Sequence, residues 1–141
     1  MRQKLNLITL GVHDMNKSIA FFEGLGWKRS PASVEELALF PLGGIVIALH
    51  PRKALADDVK VYAEGSGFSG ITLSYNTTSE KEVDDVLKEA AKLGATILKP
   101  AEKVHWGGYS GYFQDLNGHI FEVAYNPFWP LDEHHNVVLP E

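Results

Sequence analysis

An α+β fold of two tandem βαβββ modules is predicted by three observations. Leu7-Ile8-Thr9-Leu10-Gly11-Val12 is answered by Gly70-Ile71-Thr72-Leu73-Ser74-Tyr75, so the same Ile-Thr-Leu core opens each half. Each copy then passes through a helix-start signal into an amphipathic stretch that stops at a glycine. Each half also closes on a hairpin signal, Leu42-Gly43-Gly44 before residues 45–50 and Leu116-Asn117-Gly118 before residues 119–124. A repeat of this length is one supersecondary unit used twice, and two facing copies predict a pseudo-symmetric cleft. The modules are placed at 5–62 and 68–125 of a single domain, with an extended C-terminal tail at 126–141.

Taken in order, the first strand runs over 7–12, and Asp14 behind it can cap the N–H groups freed at a helix start. Met15, Ile19, Phe22 and Leu25 recur at helical spacing until Gly24 and Gly26 offer a left-handed stop, which places a helix over 15–24. Residues 51–67 carry a basic pair, a charged stretch and two glycines, and read as the linker between modules. In the second module Ser79 and Glu82 form a capping-box pattern. Val83, Val86, Leu87, Ala90 and Leu93 make the apolar stripe ahead of Gly94, which places a helix over 80–93. The tail after Tyr125 holds Pro127, Pro130 and Pro140 and reads as extended.

Alternation along the strands separates two faces. Ile8, Leu10 and Val12, Ile45, Ile47 and Leu49, Ile71, Leu73 and Tyr75, and Phe121, Val123 and Tyr125 are all large and apolar, and this face should carry the helices. The opposite set is Leu7, Thr9 and Gly11, Val46, Ala48 and His50, Gly70, Thr72 and Ser74, and Ile120, Glu122 and Ala124. It is small or polar apart from three aliphatics, and leaves room for a lined cavity. Solvent exposure, the ordinary state of a sheet covered on one side, is the alternative.

Composition narrows the function classes. At 141 residues and 45% hydrophobic the chain can bury a sizeable core. A formal charge of -5 with acids and bases interspersed leaves no basic stripe for a phosphate backbone, so nucleic acid is not an expected partner. With no cysteine there is no disulfide, thiolate metal site or cysteine nucleophile. The basic start Met1-Arg2-Gln3-Lys4 leads to an apolar stretch that ends at His13-Asp14 without a small-residue cleavage site, and the longest apolar run, 45–49, cannot span a bilayer. A cytoplasmic protein without a membrane partner is expected.

Several motifs stand in a fixed order: Leu10-Gly11-Val12-His13-Asp14 with Ser18, Phe21-Phe22 and Leu25-Gly26-Trp27, then Trp106-Gly107-Gly108, then Asp115-Leu116-Asn117-Gly118-His119-Ile120-Phe121-Glu122. In this order the chain resembles the vicinal oxygen chelate superfamily, which includes glyoxalase, bleomycin-resistance proteins and extradiol dioxygenases, over roughly 5–125. The resemblance implies two βαβββ modules whose sheets curl around a shared cavity. It also implies a divalent metal held by inward side chains on the first and last strand of each module. Matched residue by residue, those positions fall on Leu7, Ala48, Gly70 and Glu122, and Glu122 alone keeps an oxygen donor. A stable site needs three or more such ligands, so no cofactor is expected. The alternative is a relocated divalent metal on His50, His105 and Glu122. Asp132-Glu133-His134-His135 reads as a solvated run, and neither His13 nor His119 is given a role.

Glu122 on the cavity face could serve as a general base or accept hydrogen bonds from a ligand or neighbouring hydroxyls. If the strand ending at Gln114 pairs closely across the 115–118 turn, Gly111 lies opposite Glu122 and both Tyr109 and Phe113 face the cavity with Trp106. Aromatic rings beside one carboxylate suit a small apolar or aromatic ligand with one polar handle. The favoured reading is therefore a small-molecule binding protein of the bleomycin-resistance type without the family metal, its ligand touching Thr9, Ala48, His50, Thr72, Ser74, Trp106, Tyr109, Phe113 and Glu122. The rival is a lyase, isomerase or dioxygenase using a relocated metal or Glu122 as base. A third reading, a protein-interaction module, rests on the aromatic tail. Phe128, Trp129, Leu131, Val137, Val138 and Leu139 are more apolar surface than a free tail keeps in water, and a homodimer covering Phe128 and Trp129 is expected.

Overall fold

The computed structural model describes residues 1–141 and is α+β, two mixed sheets with helices packed on them. It divides into two compact units, Met1–Phe68 and Ser69–Glu141.

The first unit runs β1 (Leu7–Val12), α1 (Met15–Gly24), β2 (Ala38–Pro41), β3 (Val46–Pro51) and α2 (Arg52–Val59). Its sheet has the order β1-β3-β2, with β1 and β3 parallel and β2 antiparallel to β3. Helix α1 occupies the expected residues because Asp14 Oδ1 accepts the Lys17 N–H at 3.0 Å and Gly26, at φ 99°, ends the helix in the left-handed region. It buries Ile19, Phe21 and Phe22, and Phe22 stacks on Trp27 with ring centroids 4.9 Å apart. Leu10, Val12, Ile47 and Leu49 complete this core, as the strand alternation predicts, and Phe40 joins them from β2.

Two departures occur in this unit. The residues between Trp27 and Ala38 form turns and an isolated Val34–Leu37 bridge where a further strand is expected. The stretch read as a linker begins with α2. Arg52 to Ala56 are good helix formers, Pro51 enters with φ already near -53°, and Lys60 at φ 62° stops the helix in the left-handed region. A basic pair and scattered acids looked like linker composition, but they are an exposed helical face, with Lys53 and Asp57 paired across one turn.

The second unit is the complete βαβββ plan: β4 (Leu73–Thr77), α3 (Glu80–Lys92), β5 (Thr96–Lys103), β6 (Tyr109–Gln114) and β7 (Ile120–Tyr125), in the order β4-β7-β6-β5. Ser79 Oγ accepts the Glu82 N–H at 3.1 Å, while Glu82 Oε2 reaches back to the Thr78 N–H at 2.8 Å, so the capping box fixes the start of α3. Val83, Leu87 and Ala90 pack toward Phe113, Phe121 and Val123, with the two phenylalanines stacked at 5.1 Å. Gly111 is the point of closest approach. A Cβ there would lie 2.7 Å from Leu87 Cδ1 and 2.8 Å from the Lys99 carbonyl oxygen. Strand β5 lies at the sheet edge, where its Pro100 and two register shifts are tolerated.

The second unit's first strand starts later than the repeated Ile-Thr-Leu suggests. Gly67 and Gly70 sit at φ 91° and 82°, which breaks the extended chain, so pairing begins at Leu73 and Ile71 is 56% exposed instead of lying under a helix. The capped helix starts at Asp14 and Ser79 then equate Thr9 with Ser74 and Leu7 with Thr72. Because that shift is even, the inward and outward sets are preserved.

Residues after Tyr125 turn back on themselves. Asp132 Oδ1 accepts the N–H groups of His134 and Asn136, a bridge joins Leu131 to Val137, and the Val138 N–H reaches the Pro130 carbonyl at 2.8 Å. These bonds hold the Asp132 carboxyl below the usual range, with the Asn136 amide the largest contributor. No helix is long and apolar enough to cross a membrane.

Candidate functional site

The open face of the second sheet carries a cavity of about 690 Å³. Its floor is Ser74 and Asn76 from β4 with Glu122 and Ala124 from β7, adjacent in register as Ser74–Glu122 and Asn76–Ala124. Alternation puts all four on the face away from α3. Trp106 from the loop before β6, and Phe128, Trp129 and Val137 from the folded tail, form the walls, with Asn126 beside them.

Both oxygens of Glu122 are engaged. Ser74 Oγ donates to Oε1 at 2.9 Å and the Tyr112 hydroxyl donates to Oε2 at 3.0 Å. Burial, followed by this bond to the carboxylate, pushes the Tyr112 phenol above its ordinary pKa, so at neutral pH it keeps its proton and acts as the donor. The floor is thus a carboxylate oriented by two hydroxyls on neighbouring strands, a group able to accept a proton, a hydrogen bond or a positive charge.

The aromatic wall is positioned by two glycines. A Cβ on Gly108 would sit 1.7 Å from Trp106 Cζ3, so the indole lies back over that backbone. A Cβ on Gly107, which is at φ 93°, would sit 2.7 Å from Phe128 Cε2. The Trp106-Gly107-Gly108 sequence therefore seats one ring of its own and one from the tail.

Ser74, Trp106 and Glu122 of the sequence-predicted set meet at this cavity. Tyr109 and Phe113 do not. Strand β6 pairs with β7 so that Tyr112, not Gly111, lies opposite Glu122, while Gly111 opposes Val123 and Phe113 opposes Phe121. The turn is one residue longer than assumed, closed by the Asp115 N–H to the His119 carbonyl at 2.9 Å, and a one-residue slip exchanges the two faces of a strand. Phe113 is buried beneath α3, and the Tyr109 hydroxyl donates to Asp84 Oδ1 on that helix at 2.7 Å. The turn itself is organised by buried Asp115, which accepts the Asn117 and His119 N–H groups and pairs with His119 Nδ1.

Thr72 precedes β4 and is exposed. In the first unit, Thr9 is exposed opposite Ala48, and Ala48 is fully buried. His50 Nδ1 donates to the Glu36 carbonyl at 2.6 Å. His105 is exposed in the turn before Trp106. Sequence reasoning missed Tyr112, Asn76 and Asn126. Asn76 had a signal, since it follows Ser74 by the strand period; Tyr112 had none without the register.

Residues 4–123 match the family model described as the Glyoxalase/Bleomycin resistance protein/Dioxygenase superfamily. Over 121 residues the chain is 28% identical to the metallothiol transferase FosB of Lysinibacillus sphaericus, covering 85% of this chain and 80% of that protein. Among solved structures, a glyoxalase-related enzyme from Fulvimarina pelagi is 32% identical and superposes with a TM-score of 0.89 over 99% of both chains. The genomically encoded fosfomycin resistance protein FosX from Listeria monocytogenes is 26% identical, with a TM-score of 0.68 over 89% of this chain and 95% of that one.

These relatives correct the expectation that no cofactor is involved. FosB is by name a metallothiol transferase, so a metal belongs to the chemistry of proteins this similar. The donors present here do not fit such an ion in the arrangement the resemblance implies: no three His, Cys, Asp or Glu side chains converge. Leu7 and its counterpart Thr72 bring neither imidazole nor carboxylate, and Glu122 is the single carboxylate on the cavity.

Proposed function

We propose, since the chain belongs to the Glyoxalase/Bleomycin resistance protein/Dioxygenase superfamily, that it binds a small organic molecule with an apolar or aromatic body and one polar handle in the cavity of the second unit. The observation that carries this is the pairing of an oriented carboxylate, Glu122, with the rings of Trp106, Phe128 and Trp129 around a space of about 690 Å³, the size class of small-molecule sites. The rings supply contact area and the carboxylate fixes orientation. Screening an aromatic fragment set by ligand-detected NMR tests it: binders should compete with one another and be weakened by Trp106→Ala. Hits indifferent to Trp106 would place binding elsewhere.

A second reading, catalysis, is favoured by the similarity to FosB and to the glyoxalase-related enzyme. In it Glu122 would take a proton from the bound molecule, with Ser74 and Tyr112 holding the carboxylate in place. Assaying thiol transfer to fosfomycin, the compound against which FosX is a resistance protein, with added divalent metals tests this reading. Turnover lost in Glu122→Gln supports it; turnover unaffected by that change removes Glu122 from the chemistry.

The chain is further proposed to act in the cytoplasm as a homodimer that covers part of the exposed apolar tail, where Phe128 is 64% and Leu139 61% exposed. Light scattering at micromolar concentration should give twice the monomer mass, and a monomer would refute the assembly.

A further inference from the structure

The cavity carries a charge that nothing in its own lining answers. Among the residues around it Glu122 is the only ionisable one, and no Lys, Arg or His belongs to the set. Three lysines elsewhere in the unit are paired with other acids, Lys81 with Asp85, Lys99 with Glu102 and Lys103 with Glu80, and neither Lys88 nor Lys92 lines the cavity. No ion pair involves Glu122. Its partners are instead two neutral hydroxyls, which aim the carboxylate without bringing a positive charge to it.

The walls answer the same sign. Trp106, Phe128 and Trp129 border the space above the carboxylate, and an aromatic face is the electron-rich pole of the ring, which attracts cations and repels anions. Two of the rings are seated on glycine backbone, Trp106 on Gly108 and Phe128 on Gly107, so their placement is built into the loop. A net charge of -5 adds a weak, salt-screened attraction in the same direction.

We infer that the ligand of this cavity is an organic cation: a small apolar or aromatic body bearing a protonated amine or a related ammonium group, with the charge held between Glu122 and the aromatic wall. This rests on the reading of the cavity as a ligand site and adds the sign of the ligand's charge.

Three probes with the same phenyl body and different charge separate the two ideas: benzylammonium, benzyl alcohol and benzoate, titrated by calorimetry into the full-length protein at low salt. Benzylammonium should bind at least about tenfold more tightly than benzyl alcohol, with benzoate weakest. Glu122→Gln should abolish the preference for the amine, Ser74→Ala should retain it because the carboxylate remains, and Trp106→Ala should weaken amine and alcohol together. Thermal melting of each variant confirms that it is folded. Equal binding of amine and alcohol would overturn the cation inference and leave the ligand-site reading standing. Binding of none of the three would overturn both. Glu122-dependent uptake of nickel or manganese with no preference for the amine would also overturn the inference, giving the carboxylate to a metal.

Discussion

The two units share a strand–helix–strand plan, and at one equivalent position on the last strand the first buries Ala48 completely while the second exposes Glu122 to a cavity. In the first unit Ile47, Ala48 and Leu49 are consecutive and all buried, so the central strand has no wet face at that point. In the second, Phe121 and Val123 are buried while Glu122 between them is not. The same backbone therefore serves as closed core in one copy and as a site in the other. Glu122, supported by hydroxyls on both neighbouring strands, and the aromatic walls supplied by the Trp106 loop and the tail make the difference.

The largest effect is expected when the acid is placed in the wrong unit. Ala48→Glu should cost on the order of 5 kcal/mol in urea unfolding, because a buried carboxylate has neither room nor partner there. A loss below about 1 kcal/mol would mean that the two faces are alike. Gly111→Ala tests the helix-covered side of the second sheet. Its new methyl would meet Leu87 and the Lys99 backbone within 3 Å, and destabilisation by about 1–3 kcal/mol is expected. A neutral result would show that α3 can yield.

Alkaline titration separates the units without mutation. Three phenols of the second unit have pKa values raised above the ordinary value near 10: Tyr75 by burial and then Glu82, Tyr109 by its bond to Asp84, and Tyr112 by burial and then Glu122. A raised folded-state pKa stabilises fully below the unfolded value and is lost as pH climbs through the raised one. Stability should hold to about pH 10 and then fall, and Tyr112→Phe should make that fall shallower. An unchanged pH profile in the variant would argue that the phenol does not feel Glu122. The smallest effect belongs to Glu122→Gln, expected below about 1 kcal/mol because the side chain borders open space and its partners can turn to water. A larger cost would make Glu122 a structural residue.

How much of this was legible in the sequence depended on parity. The caps at Asp14 and Ser79 fixed both long helices. The even displacement of β4 past Gly70 left Ser74 on the face assigned to it. The odd displacement of β6 across the Asp115–His119 turn did not: it hid Phe113 and Tyr109 and brought Tyr112 to the carboxylate. Hairpin register depends on a buried aspartate gathering three hydrogen bonds, which strand alternation cannot read. Helix α2 was missed for a different reason, since charge and glycine content describe a solvated surface equally well in a linker and in a short exposed helix.

The hydroxyl–carboxylate–hydroxyl arrangement of Ser74, Glu122 and Tyr112 also constrains how the cavity floor can change over generations. Each member lies on a different strand, and each loses its partner when the acid goes. Substitutions at these positions should therefore be coupled, with a replacement at 122 relaxing what is tolerated at 74 and 112. In related sequences the three positions should vary together as a single heritable character, while Asn76 and Ala124 beside them drift independently.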